Sequence, residues 1–262
     1  MPERHPTRFP APLNSAQALL CAILLLLIPV AAYSGQWRVA PARIFLDSAA
    51  KSSVITLVND GDEMINLQGK AMEWSQDPEG KDVYQETKDL VFFPRILMID
   101  KGEQKIIRAG IKMAPTAKEK TYRLFIEEIP QPKKNTSDTA QLTVAVRFGV
   151  PVFVKPLKEE LVGELASTAL TKGILSTIVK NTGNTHFRII EISIKGRNVK
   201  GEETFAEKLN GWYLLAGANR LYSTPIPAGK CGATEQLDIT VTTDTKIILN
   251  GHLNVDKGQC SP

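Results

Sequence analysis

From Trp37 onward apolar and polar residues alternate in short runs, and no stretch keeps apolar positions at helical spacing long enough to predict a helix. Trp37–Leu46 reads as a first strand. It carries Pro41, which cannot donate to a ladder, so it is an edge strand or one that switches sheets. Ser53–Val58 is a second strand, closed by the turn Asn59-Asp60-Gly61-Asp62, and Ile65–Trp74 is a third. The polar run Ser75–Lys88 reads as a loop. Leu90–Phe93, Ile96–Ile99 and Gln104–Ile111 are further short strands, and Thr121–Ile129 is a strong one. A connector rich in proline and lysine, Pro130–Thr139, leads into the most distinctive stretch of the chain.

That stretch is Gln141–Pro156, QLTVAVRFGVPVFVKP. Leu142, Val144, Val146, Phe148, Val150, Val152 and Val154 occupy alternate positions, the period of a strand with one apolar face. At about 3.3 Å per residue it would reach roughly 50 Å, far beyond an ordinary strand of about 17–20 Å. Two core strands broken near Gly149 and Pro151 are one reading. A long edge strand, able to lend its apolar row to another protein, is the other. Leu157–Val162 is a charged linker. A second β unit then contains strands at Ile174–Val179, His186–Lys195, Trp212–Ala216, Leu237–Thr242 and Ile247–Asn254. The fold class is all-β: two sandwiches in tandem, residues 35–156 and 157–262, with the long strand closing the first.

Ahead of them, Arg4 and Arg8 precede the apolar run Ala18–Ala32, and Ala32-Tyr33-Ser34 offers a cleavage site. Residues 1–34 therefore read as a secretory signal, with the mature chain starting near Gly35 in the periplasm. The run is short for a membrane span and is interrupted by Pro29. The formal net charge is +4, and removing the signal leaves 30 basic against 27 acidic residues. So mild and scattered a surplus does not point to nucleic acid. Export leaves two cysteines, Cys231 and Cys260, expected to pair with each other. No metal-ligand spacing is present, and no metal or other cofactor is expected.

Catalytic chemistry finds little support. His186 and His252 each lie near a turn with no nucleophile signature beside them, and the chain has no GxSxG, HExxH or phosphate-cradling glycine loop. Glu127 and Glu128 are sequential, so a strand sends them to opposite faces. An enzyme is not expected.

PARIFLD, NDGD, FFPRILMIDKGEQKIIR, EKTYRLFIEEIP and FGVPVFVKP, in this order and spacing, resemble the periplasmic chaperones of the chaperone–usher pilus pathway. VKNTGNTH and WYLLAGANR resemble that family's second domain, and the FGVPVFVKP ending is similar to its archaic-type branch. The resemblance implies two immunoglobulin-like sandwiches set as an L or boomerang. It also implies a pilus or fimbrial subunit as partner, held by strand donation and then delivered to an outer-membrane usher. It places the donor residues at Leu142, Val144 and Val146. A carboxylate anchor falls on Arg43; where the family has a second cationic residue, a lysine, this chain has Pro151, so Arg123 or Arg147 is expected to supply that charge. Glu119 and Lys155 fall on positions that tie the two domains as an ion pair. The exposed apolar edge of a free chaperone also favours a self-capping homodimer. The alternative is an exported fibre subunit or adhesin, which would need a donor extension before the PARIFLD strand.

Overall fold

The computed structural model describes residues 37–130 and 144–260. The apolar N-terminal run, its cleavage site, Leu142 and most of the 130–139 connector lie outside the described residues. Two sandwiches follow one another within a single compact unit, Trp37–Pro262.

The first begins with β1 (Trp37–Ala40) and β2 (Ile44–Leu46), one run of sequence that serves two sheets. Pro41 has no N–H to continue a ladder, and the chain crosses from one sheet to the other there. β1 pairs antiparallel with β3 (Ser52–Asn59), while β2 joins the opposite sheet. β4 (Ile65–Gln76) outlasts the expected strand by two residues and carries an unexpected neighbour, β5 (Asp82–Glu86), within the stretch read as a loop. β5 is polar and largely exposed, so hydrophobic alternation cannot reveal it; the ladder to β4 holds it as an edge. β6 (Leu90–Phe93), β7 (Ile96–Ile99), β8 (Gln104–Ile111) and β9 (Lys120–Glu128) fall where the pattern puts them. One sheet runs β1-β3-β8-β6. In the other, β10 (Arg147–Val154) lies between β2 and β9, followed by β4 and β5, with β7 also on β4. Ile55, Leu57, Ile107 and Ala109 of the first sheet pack against Leu67, Tyr122, Leu124, Ile126, Val150 and Val152 of the second.

The second sandwich contains β11 (Gly163–Thr171), β12 (Ile174–Asn181), β13 (Phe187–Arg197), β14 (Glu203–Asn210), β15 (Tyr213–Leu214), β16 (Asn219–Pro225), β17 (Gln236–Thr243) and β18 (Ile248–Asn254). Its sheets run β11-β12-β16 and β14-β13-β17-β18, with β15 also paired to β13. The sequence reading passes over β11, β14 and β16. Each lies at a sheet edge, and their apolar positions are few or half-covered, which leaves no clear period. Cys231 and Cys260 are joined as a disulfide, linking two short 3₁₀ turns near the end of the chain.

The two sandwiches share a turn device. Asn59 ends β3 and Asn181 ends β12, and both are fully buried. The Asn59 Nδ2 donates to the Glu63 carbonyl at 2.8 Å and the Ile99 carbonyl at 3.0 Å, and its Oδ1 accepts from Gly61 N at 3.0 Å. Asn181 repeats this with Thr185, Leu214 and Gly183 at 2.9, 3.0 and 3.0 Å. One amide side chain thus satisfies several backbone groups that the turn would otherwise bury unpaired. The spacing Asn-x-Gly in NDG and NTG is its signature in the sequence.

Candidate binding site at an open strand edge

β10 has two neighbours over only part of its length. Antiparallel pairing with β9 runs from Arg147 to Val154, whereas parallel pairing with β2 covers Val152, Phe153 and Val154 alone. From Arg147 to Pro151 the second side of β10 carries no strand among the described residues; on that side the Gly149 carbonyl already accepts from Arg123 Nη1, and Pro151 has no N–H to offer. Pro151 is tolerated here because the strand is an edge at that point.

The apolar row emerges from the core along this strand. Val150, Val152 and Val154 are buried in the first sandwich. Phe148 is half-exposed and meets the Trp37 ring edge-on at 4.7 Å. Val146 packs partly on the core, its carbonyl accepting from Glu128 N at 3.0 Å. Val144 is 70% exposed. The expected sixteen-residue strand is therefore eight residues long where described, and it leads into an extension beyond the end of β9. The Glu128 carboxylate holds the start of that extension, taking hydrogen bonds from Val146 N at 3.2 Å and from the Trp37 indole.

The opposite face of β10 carries Arg147, Gly149, Pro151 and Phe153, set against Glu127, Phe125, Arg123 and Thr121 of β9. The three candidate arginines have different surroundings. Arg43 pairs with Asp244 of the second sandwich at 3.2 Å. Arg147 pairs with Glu127 at 3.3 Å and lies 3.8 Å over the Phe125 ring. Arg123 is 7% exposed and, among the described residues, has no carboxylate partner. Its Nη1 donates to the Gly149 carbonyl at 2.9 Å, its Nε is buried without a partner, and its charge lies 3.9 Å over the Trp74 ring. Arg123 stands directly opposite Pro151 in the ladder. Directly opposed residues share a face, so Arg123 and Pro151 lie on the same side of the sheet.

The expected Glu119–Lys155 ion pair is corrected by the structure. Glu119 is buried against the second sandwich, its Oε2 accepting from His186 N at 2.9 Å and meeting His186 Nδ1 at 2.8 Å. Lys155 pairs instead with Glu159 at 2.9 Å, and that hydrogen bond raises its pKa. Lys155 and Glu159 stand four residues apart on the exposed link to the second sandwich, while His186, on the turn that follows Asn181, takes the Glu119 carboxylate, whose charge still helps to raise the Lys155 pKa. Phe153, on the outward face of β10, stacks on the His186 ring at 3.6 Å. Together with Trp74, Tyr213 and Leu215 it forms a separate apolar cluster where the sandwiches meet. His186 is thus a structural residue of this seam. Trp74, Trp212, Tyr213 and Gln76 also belong to the seam, and no local pattern marks them. The adjacent aromatics of WYLLAGANR are the one signal that hints at it.

Among the described residues no cluster of His, Cys, Asp or Glu is arranged to hold a metal ion, and no helix is long and apolar enough to cross a membrane.

Comparison with known proteins gives a consistent likeness. Among curated proteins none matches the chain. The chaperone of the archaic Csu pili of Acinetobacter baumannii, solved with its tip adhesion subunit in a pre-assembly complex, gives a TM-score of 0.59 at 18% identity over 82% of this chain and 98% of the matched one. The Salmonella enterica SafA pilin–SafB chaperone complex gives 0.51 at 13% identity, over 85% and 99%. The class 5 fimbriae chaperone CfaA gives 0.51 at 14%, over 82% and 98%. At such identities these show a shared fold. Residues 36–159 match the sequence model of the pili and flagellar-assembly chaperones, PapD N-terminal domain. Through those residues the first sandwich belongs to the PapD N-terminal domain family of the pili and flagellar-assembly chaperones.

Proposed function

We propose that this protein is a periplasmic chaperone that binds pilus subunits by adding β10 and the donor residues before it, Leu142, Val144 and Val146, to the subunit's own sheet, then passes them to an outer-membrane usher. The observation that carries this is the apolar row of β10, which leaves the core along an edge with no partner strand among the described residues and reaches solvent at Val144. Main-chain bonds along such an edge set the register, and alternate side chains fill the partner's core. Each valine so buried contributes roughly 1.5–3 kcal/mol before ordering costs. No nucleotide or metal takes part in this reading, because strand exchange and subunit folding supply the free energy.

In this reading the subunit's terminal carboxylate binds at Arg123. Arg43 and Arg147 already have carboxylate partners, while Arg123 keeps its Nε donor unpaired. A planar guanidinium gives a carboxylate two parallel charge-assisted hydrogen bonds, a geometry that a lysine cannot match. Co-expression with a fimbrial subunit is expected to yield a soluble 1:1 complex. Arg123→Ala is expected to abolish it, and Arg43→Ala to retain it within a few-fold, as measured by co-purification. An Arg123→Ala chaperone that captures subunit normally would refute the anchor, and normal capture after Val144→Ser would refute strand donation.

A further inference from the structure

We propose that Trp212 and Tyr213 of the second sandwich are positioning residues for Arg123, so that the carboxylate site is assembled by both sandwiches and not by the first alone. This rests on the reading of Arg123 as the anchor. A buried guanidinium without a counter-ion is costly to keep dry. Here three ring faces offset that cost: Trp74 at 3.9 Å, Tyr213 at 5.6 Å and Trp212 at 5.9 Å from the guanidinium carbon. Ring faces attract a cation through their quadrupole but occupy none of its N–H donors. An aspartate in the same place would fill the fork and close the site. The aromatic setting therefore holds the charge while the buried Nε stays unpaired.

Two of the three rings come from the second sandwich, and their placement is itself fixed. Trp212 Nε1 donates to Asp82 Oδ2 at 3.0 Å, which ties it to the edge strand β5. Tyr84 OH donates to the same oxygen at 3.2 Å. Gln76, at the end of β4, donates from Nε2 to the Tyr213 carbonyl at 2.8 Å and to Asp82 Oδ1 at 3.1 Å. Its Oε1 accepts from Leu215 N at 2.9 Å. Asp82 is thus engaged by Trp212, Tyr84 and Gln76, and Trp212 meets Tyr213 edge-on at 5.6 Å. The network locks the second sandwich's aromatic pair over an arginine that belongs to the first. Strand addition along β10 uses main chain of the first sandwich only. Carboxylate capture and strand addition are consequently separable by substitution in the second sandwich.

The test uses the full mature chain and two synthetic peptides of the same alternating valine–threonine sequence, one ending in a free carboxylate and one in an amide. The readout is the ratio of the two affinities. Wild type is expected to prefer the carboxylate, and Arg123→Ala to lose that preference. Trp212 is half-exposed, so Trp212→Phe and Trp212→Leu both leave the core filled. Trp212→Phe is expected to keep most of the preference, and Trp212→Leu to reduce it about tenfold, equivalent to ~1.4 kcal/mol, with amide-peptide affinity unchanged. A preference equal to wild type in Trp212→Leu overturns the role of the second sandwich while leaving the Arg123 anchor standing. Absence of any carboxylate preference in wild type, including absence of binding, overturns the anchor and this inference with it.

Discussion

At the scale of single residues, the setting of Arg123 is the informative feature. It stands opposite Pro151 in the ladder, buried, with its guanidinium over the Trp74 ring. Gly149 belongs to this arrangement. A Cβ there would come 2.9 Å from the Phe125 ring, and its carbonyl is the Arg123 acceptor. A second residue-scale device is Asp47, whose carboxylate accepts from Ala50 N at 2.6 Å and Ala49 N at 2.8 Å in the turn after β2. Those hydrogen bonds, Ala50 first, hold its pKa below the ordinary 3.8. A folded-state pKa below the unfolded one adds stability above the unfolded value, and that stability is lost as pH falls through the folded value. Asp47→Ala is therefore expected to lower the melting temperature slightly at pH 7, with a smaller difference from wild type at pH 2. Melting curves at both pH values check it, and an equal difference at the two would contradict it.

At the scale of the element, β10 performs three tasks along one strand. Its C-terminal valines complete the first core, Phe153 on its other face stacks into the seam, and its N-terminal half leads out to solvent. Position along the row should then decide what a polar substitution does. Val144→Ser touches an exposed side chain, so the unfolding free energy of the free protein is expected to stay within about 0.5 kcal/mol of wild type while subunit capture weakens. Val150→Ser places a hydroxyl in a position 3% exposed and removes a buried methyl, and is expected to cost about 2–4 kcal/mol. Denaturant unfolding and co-purification, measured on both variants, distinguish the two ends. Equal destabilisation would mean that the row belongs wholly to the interior.

At the scale of the whole molecule, the seam joins what the disulfide does not touch. Arg43–Asp244, Glu119–His186 and the Gln76 bonds to Tyr213 and Leu215 cross between the sandwiches. The Cys231–Cys260 bridge closes a segment within the second sandwich, with a sequence separation of 29. A loop of that size stabilises by roughly 3.6 kcal/mol in the chain-entropy account. Reduction is expected to lower hydrogen-exchange protection in β12, β13 and β17 while β9 and β10 keep theirs, because the bridge closes a segment of the second sandwich alone. Loss of protection spreading equally into β9 would show instead that the two sandwiches open as one cooperative unit.

The chain alone determined what depends on near neighbours. Alternation specified the strands of both cores, proline at 41 specified a break, and Asn-x-Gly marked two turns, because these follow from side-chain period and backbone chemistry within a few residues. The apolar row at 146–154 was equally legible, since its face is set by period alone. β5, β11, β14 and β16 were not legible, because polar or half-covered edge strands are held by ladder bonds and carry no strong apolar stripe. Nor was the state of the three arginines. Arg43 meets a carboxylate 201 residues away, and Arg123 lies under rings from positions 74, 212 and 213. Which cation is paired and which is left open depends on how distant segments pack, and only the tertiary structure decides that.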